Sequence, residues 1–128
     1  MINDKKTLVK LQYLLYNNIY GKVKKGEKKI LNINKKITGE KAVVELEGRL
    51  DTVTAPELEK EIKNPAPEIT ELVLDFKKLE YISSAGLRVL LVAQKVMAKR
   101  GTMKITGANE MVMEIFEVTG FADILTIE

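Results

Sequence analysis

The sequence predicts an α/β single domain over residues 30–128. Its core is a mixed β-sheet of four to five strands with helices packed on it, in the order β-β-α-β-α-β-α-(β). Three observations lead there. Apolar and polar residues alternate on both sides of the turn-forming Thr38-Gly39-Glu40-Lys41, which is the pattern of a β-hairpin. The run Leu72-Val73-Leu74-Asp75-Phe76 is nearly all apolar, as in a central strand covered on both faces, and a long apolar helix pattern follows it. Helix patterns then alternate with strand patterns to the end of the chain, so the later strands pair in parallel through helical crossovers.

The first strand is read at Ile30 to Ile37, with Leu31, Ile33 and Ile37 on one face. The second is Ala42 to Leu46, ending at Gly48, and Arg49-Leu50-Asp51-Thr52-Val53 connects it to a helix. Thr54-Ala55-Pro56-Glu57 opens that helix with a Thr cap, a first-turn Pro, and a Glu three residues after the cap. Leu58 and Ile62 form its apolar stripe, and Asn64-Pro65-Ala66-Pro67 stops it. The third strand is Glu71 to Phe76. The long helix runs from about Ser84 to Arg100, with Leu87, Leu90, Leu91 and Ala93 on one stripe and Val89, Val92 and Val96 widening it. A helix this apolar is either deeply buried or keeps an apolar edge open for a partner. Lys95, Lys99 and Arg100 suit its C-terminal dipole, and Gly101 ends it. Thr102 to Thr106 is the fourth strand, Asn109 caps a helix over Glu110 to Val118, and Ile124 to Ile127 adds a last short strand or turn.

Residues 1–29 differ from the rest. They hold eight lysines against Asp4 and Glu27, a balance of +6, whereas residues 30–128 hold 13 Lys and Arg against 16 Asp and Glu, a balance of −3. Leu8, Leu11, Leu15 and Ile19 recur at helical spacing, which fits a helix for docking on a partner or an anionic surface. The competing expectation is a dispensable, mobile or non-native extension. Lys25-Gly26-Glu27 is encodable by a purine run like a bacterial ribosome-binding site, and Leu31 by a TTG start codon, so translation is expected to begin near Leu31.

Composition narrows the function classes. With no histidine and no cysteine, the chain has no Ser-His-Asp triad, no thiolate metal site and no disulfide. Neither a Walker-type glycine loop nor an H-E-x-x-H motif is present, so an enzyme is not expected and no cofactor or metal is assigned. Asp51, Asp75 and Glu80 are candidates for a divalent-cation cluster, weighed against three solvated carboxylates at loop ends. The mildly acidic domain argues against nucleic acid as a partner. No apolar run approaches the roughly 20 residues that span a bilayer, and no secretory signal is read at the N-terminus. A cytoplasmic protein without direct membrane insertion is the expectation.

The chemistry concentrates at Tyr81-Ile82-Ser83-Ser84-Ala85-Gly86-Leu87-Arg88, where a serine pair stands at the mouth of the long helix. Unpaired first-turn N–H groups and the helix dipole favour negative charge there. A serine phosphate at this point therefore meets a favourable local field, while the plain alternative is an N-cap serine.

Two segments, Gly48-Arg49-Leu50-Asp51-Thr52-Val53-Thr54-Ala55-Pro56-Glu57-Leu58 and Leu72 to Phe76 followed by Tyr81 to Leu87, give the chain its resemblance to a known family. With Gly120-Phe121-Ala122-Asp123-Ile124 as a closing segment, the chain resembles the STAS domain family of bacterial anti-sigma factor antagonists over about residues 31–127. The resemblance implies a cytoplasmic regulator that binds an anti-sigma factor serine kinase, frees the sigma factor, is switched off by serine phosphorylation and is reset by a PP2C-type phosphatase. Aligned on Gly86 and Leu87, the family's Asp-Ser-Ser/Thr-Gly pattern places the phosphorylated serine on Ser84. Its Asp falls on Ser83, which becomes an alternative acceptor, and its second hydroxyl residue falls on Ala85. Asp51, Thr52, Ser83, Ser84, Ala85, Gly86, Leu87 and Arg88 are the implied partner-binding residues. The departures at Ser83 and Ala85 keep a second implied function open: a STAS subunit of a membrane lipid-transport ABC system, acting by docking alone.

Overall fold

The computed structural model describes residues 31–63 and 65–128, so the basic leader, Ile30 and Asn64 lie outside the described residues. Among the described residues, four strands and three helices follow one another as β1 (Leu31–Thr38), β2 (Lys41–Leu50), α1 (Ala55–Lys63), β3 (Glu71–Ile82), α2 (Ser84–Ala98), β4 (Thr102–Thr106) and α3 (Glu110–Thr119). A short 3-10 turn at Phe121–Asp123 closes the chain. The sheet order is β1-β2-β3-β4, antiparallel at the hairpin and parallel across the other two pairings. Gly39 sits at φ +60° in the hairpin turn, a backbone region that glycine enters without a Cβ penalty.

Alternation along the strands sorts the sheet into two faces. Ala42, Val44, Leu46, Leu72, Leu74 and Phe76 point into one core with Leu58 and Ile62 of α1, Leu87, Leu90 and Met97 of α2, and Val112 and Phe116 of α3. The Phe76 and Phe116 rings lie 6.4 Å apart at a tilt of 34°. The opposite face carries Asn34, Lys36, Glu45, Asp75 and Lys104, and among the described residues the helices lie on the core face alone. The expectation that β3 is covered on both faces is thereby corrected. Val73 is buried on the open face because its cross-strand neighbours are Val43 and Lys104, and a lysine stem covers apolar surface while its ammonium stays wet.

Several boundaries move. β2 continues past Gly48 to Leu50, so Arg49 and Leu50 belong to the strand rather than the connection. β3 runs to Ile82, six residues beyond Phe76. The two extensions pair with each other through register shifts, between Glu45 and Glu47 and between Gly48 and Arg49 of β2. At each shift β3 carries an extra residue, which breaks the apolar alternation that marks a strand in the sequence. The final segment forms only an isolated parallel bridge, Ile105 to Ile127, in place of a fifth strand. α2 ends at Ala98, and the Gly101 N–H reaches back 2.7 Å to the Met97 carbonyl. Gly101 is required by crowding: a Cβ there would lie 1.8 Å from the Thr70 carbonyl oxygen.

The start of α1 differs in kind. Thr54 is expected to cap it, but its hydroxyl turns backwards, 2.7 Å from the Arg49 carbonyl, and accepts the Asp51 N–H at 2.9 Å. Asp51 closes the turn instead, its Oδ1 accepting the N–H groups of Val53 at 3.0 Å and Thr54 at 3.1 Å. Asn109 behaves as expected. Its side chain accepts the Val112 N–H at 2.8 Å and caps α3.

Candidate functional site

The long parallel pairing of β2 with β3 ends at Leu50 opposite Ile82. The chain leaves both strands there, so the β2–α1 turn (51–54) and the β3–α2 corner (83–85) emerge side by side at the carboxyl ends of parallel strands. Open α/β sheets build ligand and partner sites at this end. The Ser83 N–H donates to the Leu50 carbonyl at 2.9 Å, which joins the two loops directly.

Gly86 allows this close approach. A Cβ at this position would lie 2.8 Å from both Leu50 Cγ and Ile82 Cγ1, and both side chains are fully buried. A glycine in the first turn of α2 therefore lets the helix mouth settle onto the end of the β2–β3 pair. Leu87 behind it is buried in the core and draws its N–H to the Ser83 carbonyl at 2.9 Å, closing the first helical turn.

The eight residues expected at the docking surface divide into two groups. Thr52, Ser84 and Arg88 are exposed and Ala85 is half-buried. Asp51, Ser83, Gly86 and Leu87 are buried beneath them. The Asp51 Oδ1 is held by its own turn, and Ser83 lies under the surface with its hydroxyl unpartnered. One residue escapes the sequence reading. Val53, between Thr52 and Thr54, is 60% exposed, the most exposed large apolar side chain among the described residues. The signal was an apolar residue in a polar turn with no helical or strand periodicity to place it.

The outer face of α2 continues this surface. Ser84, Arg88, Lys95 and Lys99 are exposed, with Ala85, Val92 and Val96 half-buried between them. Val89 and Leu90 are buried, so the broad apolar pattern resolves into a core stripe and a thinner, half-open outer stripe. Asp51, Asp75 and Glu80 do not gather: among the described residues no group of three acidic side chains is placed to hold a metal ion. Asp75 instead accepts the Lys77 N–H at 3.0 Å on the open sheet face. No helix among the described residues is long and apolar enough to cross a membrane.

This arrangement can be set beside known proteins. The STAS domain model matches residues 32–128, most of the chain. The chain belongs to the STAS domain family. Among its STAS relatives, the BtrV protein of Bordetella bronchiseptica is 37% identical over 84 residues, 64% of this chain and 72% of BtrV, and is provisionally named an anti-sigma factor antagonist. An anti-sigma-B factor antagonist of Bacillus subtilis is 28% identical over 98 residues, covering 76% of this chain and 90% of its own length. Among solved folds, an anti-sigma factor antagonist from Mycobacterium paratuberculosis superposes with a TM-score of 0.71 at 22% identity, over 79% of this chain and 87% of that one. The fold is thus the STAS fold: a four-stranded mixed sheet with three helices in the order β-β-α-β-α-β-α.

Proposed function

We propose that this STAS domain is an anti-sigma factor antagonist that docks on a kinase-type anti-sigma factor through Thr52, Val53, Ser84, Ala85 and Arg88. Docking displaces the sigma factor, and phosphorylation of Ser84 ends it. The observation that carries the reading is the contrast within the serine pair. Ser84 is exposed at the mouth of α2, while Ser83 is only 8% exposed with its Oγ sealed from solvent. A kinase must bring the γ-phosphate of ATP in line with an open hydroxyl, and Ser84 offers one. The phosphoryl group moves to Ser84 Oγ, the hydroxyl proton leaves and ADP departs. A PP2C-type phosphatase reverses the state by hydrolysis. The names of the relatives in Bacillus subtilis and Bordetella bronchiseptica support the same role.

The energetics suit a switch. A phosphate adds about −1.5 to −2 charges at neutral pH. In a closely packed contact that charge must be paired or desolvated, at a cost of several kcal/mol. A tenfold loss of affinity needs only about 1.4 kcal/mol, so one phosphate is sufficient. The test is incubation of the full chain with candidate anti-sigma kinases and ATP, followed by intact mass and site mapping. One phosphate on Ser84 and none on Ser83 supports the reading. A phosphate placed only elsewhere, or a Ser84→Asp variant that binds the anti-sigma factor as tightly as wild type, contradicts it.

A further inference from the structure

The open face of the sheet is more covered than the strands alone explain. Val73 and Tyr81 are, among the described residues, the two buried hydrophobic side chains that stand outside the helix-side core. Strand alternation gives their direction. Val73 lies between core-facing Leu72 and Leu74, and Tyr81 precedes core-facing Ile82, so both point to the open face. They are 6% and 7% exposed. Between them on that face, the Asp75 side chain is only 18% exposed. The Lys104 stem shields Val73 from one side. Tyr81 has thinner surroundings. Its cross-strand neighbour is the half-buried Arg49, whose stem covers one flank of a ring at most. On the other side β4 ends at Thr106, opposite Asp75 and well short of Tyr81. None of the three described helices lies on this face.

We propose that residues 8–19 of the basic leader cover this face as an amphipathic helix, with Leu8, Leu11, Leu15 and Ile19 turned down over Val43, Val73 and Tyr81. Position, length and chemistry agree. The leader joins the fold at Leu31, which pairs with Gly48, the residue before Arg49. The chain ahead of Leu31 therefore meets the sheet at the level of Arg49 and Tyr81. Tyr81 is two strand spacings away, about 10 Å. The 11 residues from 20 to 30 reach about 36 Å when extended, enough to turn onto the face. The 12 residues from 8 to 19 make a helix about 18 Å long. Val73 and Tyr81 are about 26 Å apart along β3, so that helix spans most of the distance. The spacing of Leu8, Leu11, Leu15 and Ile19 puts them on one side of it, and Lys6, Lys10 and Asn17 on the other, in water. On this account the leader is a working part of the protein, against the expectation of a start near Leu31.

The chain has no cysteine, so one introduced thiol takes a nitroxide label at a single place. Lys10→Cys puts the label on the water side of the leader helix, twenty-one residues ahead of Leu31. In amide NMR spectra of the full chain, the label should broaden residues 43–47 of β2 and 73–78 of β3. Residues 91–99 of α2 and the turn after it, on the far side of the molecule, should keep their intensity. Adding Leu11→Asp and Leu15→Asp should restore most of the lost intensity, because the tether is kept and the apolar stripe is broken. Both substitutions lie outside the core, so the domain itself stays folded. Isotope-labelled chain mixed with nitroxide-labelled chain should show no broadening. Broadening in that mixture would give the face to the leader of a second copy and overturn the proposal. So would broadening that survives the two aspartates, broadening centred on residues 91–99, or none at all. A leader that leaves the sheet unbroadened and binds vesicles of anionic phospholipid would instead be a membrane-surface segment. The measurement uses neither kinase nor anti-sigma factor, so it can fail while Ser84 phosphorylation stands, and the reverse.

Discussion

Replacing Gly86 with alanine sets two known effects against each other at the point that holds the site together. Alanine is a better helix former than glycine by about 1 kcal/mol in a helix interior. Against this, the added Cβ would stand 2.8 Å from Leu50 Cγ and 2.8 Å from Ile82 Cγ1. Leu50 Cγ is a branch point and Ile82 Cγ1 lies next to its own Cβ, so neither is a mobile chain end. Both side chains are fully buried, which leaves them nowhere to withdraw. Overpacking of this kind costs about 1–3 kcal/mol. Gly86 is in the first turn, where the gain in propensity is smaller than at mid-helix, so the clash wins. The expected result is a net loss of about 1–2 kcal/mol, seen as a lower urea midpoint with an unchanged slope. In a domain of this size each kcal/mol lowers Tm by about 4–8 °C. Because the Ser83 N–H to Leu50 carbonyl bond adjoins the crowded point, amide shifts should concentrate at residues 50–54 and 82–87. A Gly86→Ala chain as stable as wild type, or more stable, would refute the packing argument and with it the reason a glycine stands there.

Other perturbations separate frame from surface. Asn109 caps α3 and also donates to the Leu79 carbonyl at 3.0 Å, so Asn109→Ala should cost about 2 kcal/mol in chemical denaturation. Asn109→Asp keeps the acceptor but loses the donor, and should fall roughly midway. A loss for Asp as large as for Ala would show that the cap contributes nothing. Val53→Asp changes an exposed side chain and should leave stability within about 0.5 kcal/mol. In a calorimetric titration it should weaken anti-sigma factor binding at least tenfold, and unchanged affinity would remove Val53 from the docking surface.

Legibility in the sequence followed how local each cause is. Asn109 could be read directly, because a cap is chosen by the residue itself and the three that follow it. The hairpin turn at Gly39 is equally local. Thr54 misled for the opposite reason. Its hydroxyl was committed to the Arg49 carbonyl by the path of the preceding strand, which the helix-start motif does not encode. The true length of β3 was hidden by the extra residues at its register shifts, since periodicity is readable only where the period holds. Among the site residues, Ser83 and Ser84 were chemically equivalent in the sequence. Ser83 is the buried one, beside the pairing of Leu50 with Ile82 and the crowding of Leu50 against Gly86, and these two contacts join segments more than thirty residues apart. Val53 was missed because an isolated apolar residue in a turn carries no pattern.

The account turns on Ser84 as the exposed hydroxyl that governs docking, and affinity for the anti-sigma factor before and after stoichiometric phosphorylation tests this most directly. Calorimetry on the full chain should show tight binding by the unmodified protein and at least a tenfold loss once a single phosphate is mapped to Ser84. Ser84→Ala should bind like the unmodified chain and resist the kinase. Equal affinity of the phosphorylated and unmodified forms would contradict the account, whatever the fate of the individual contacts.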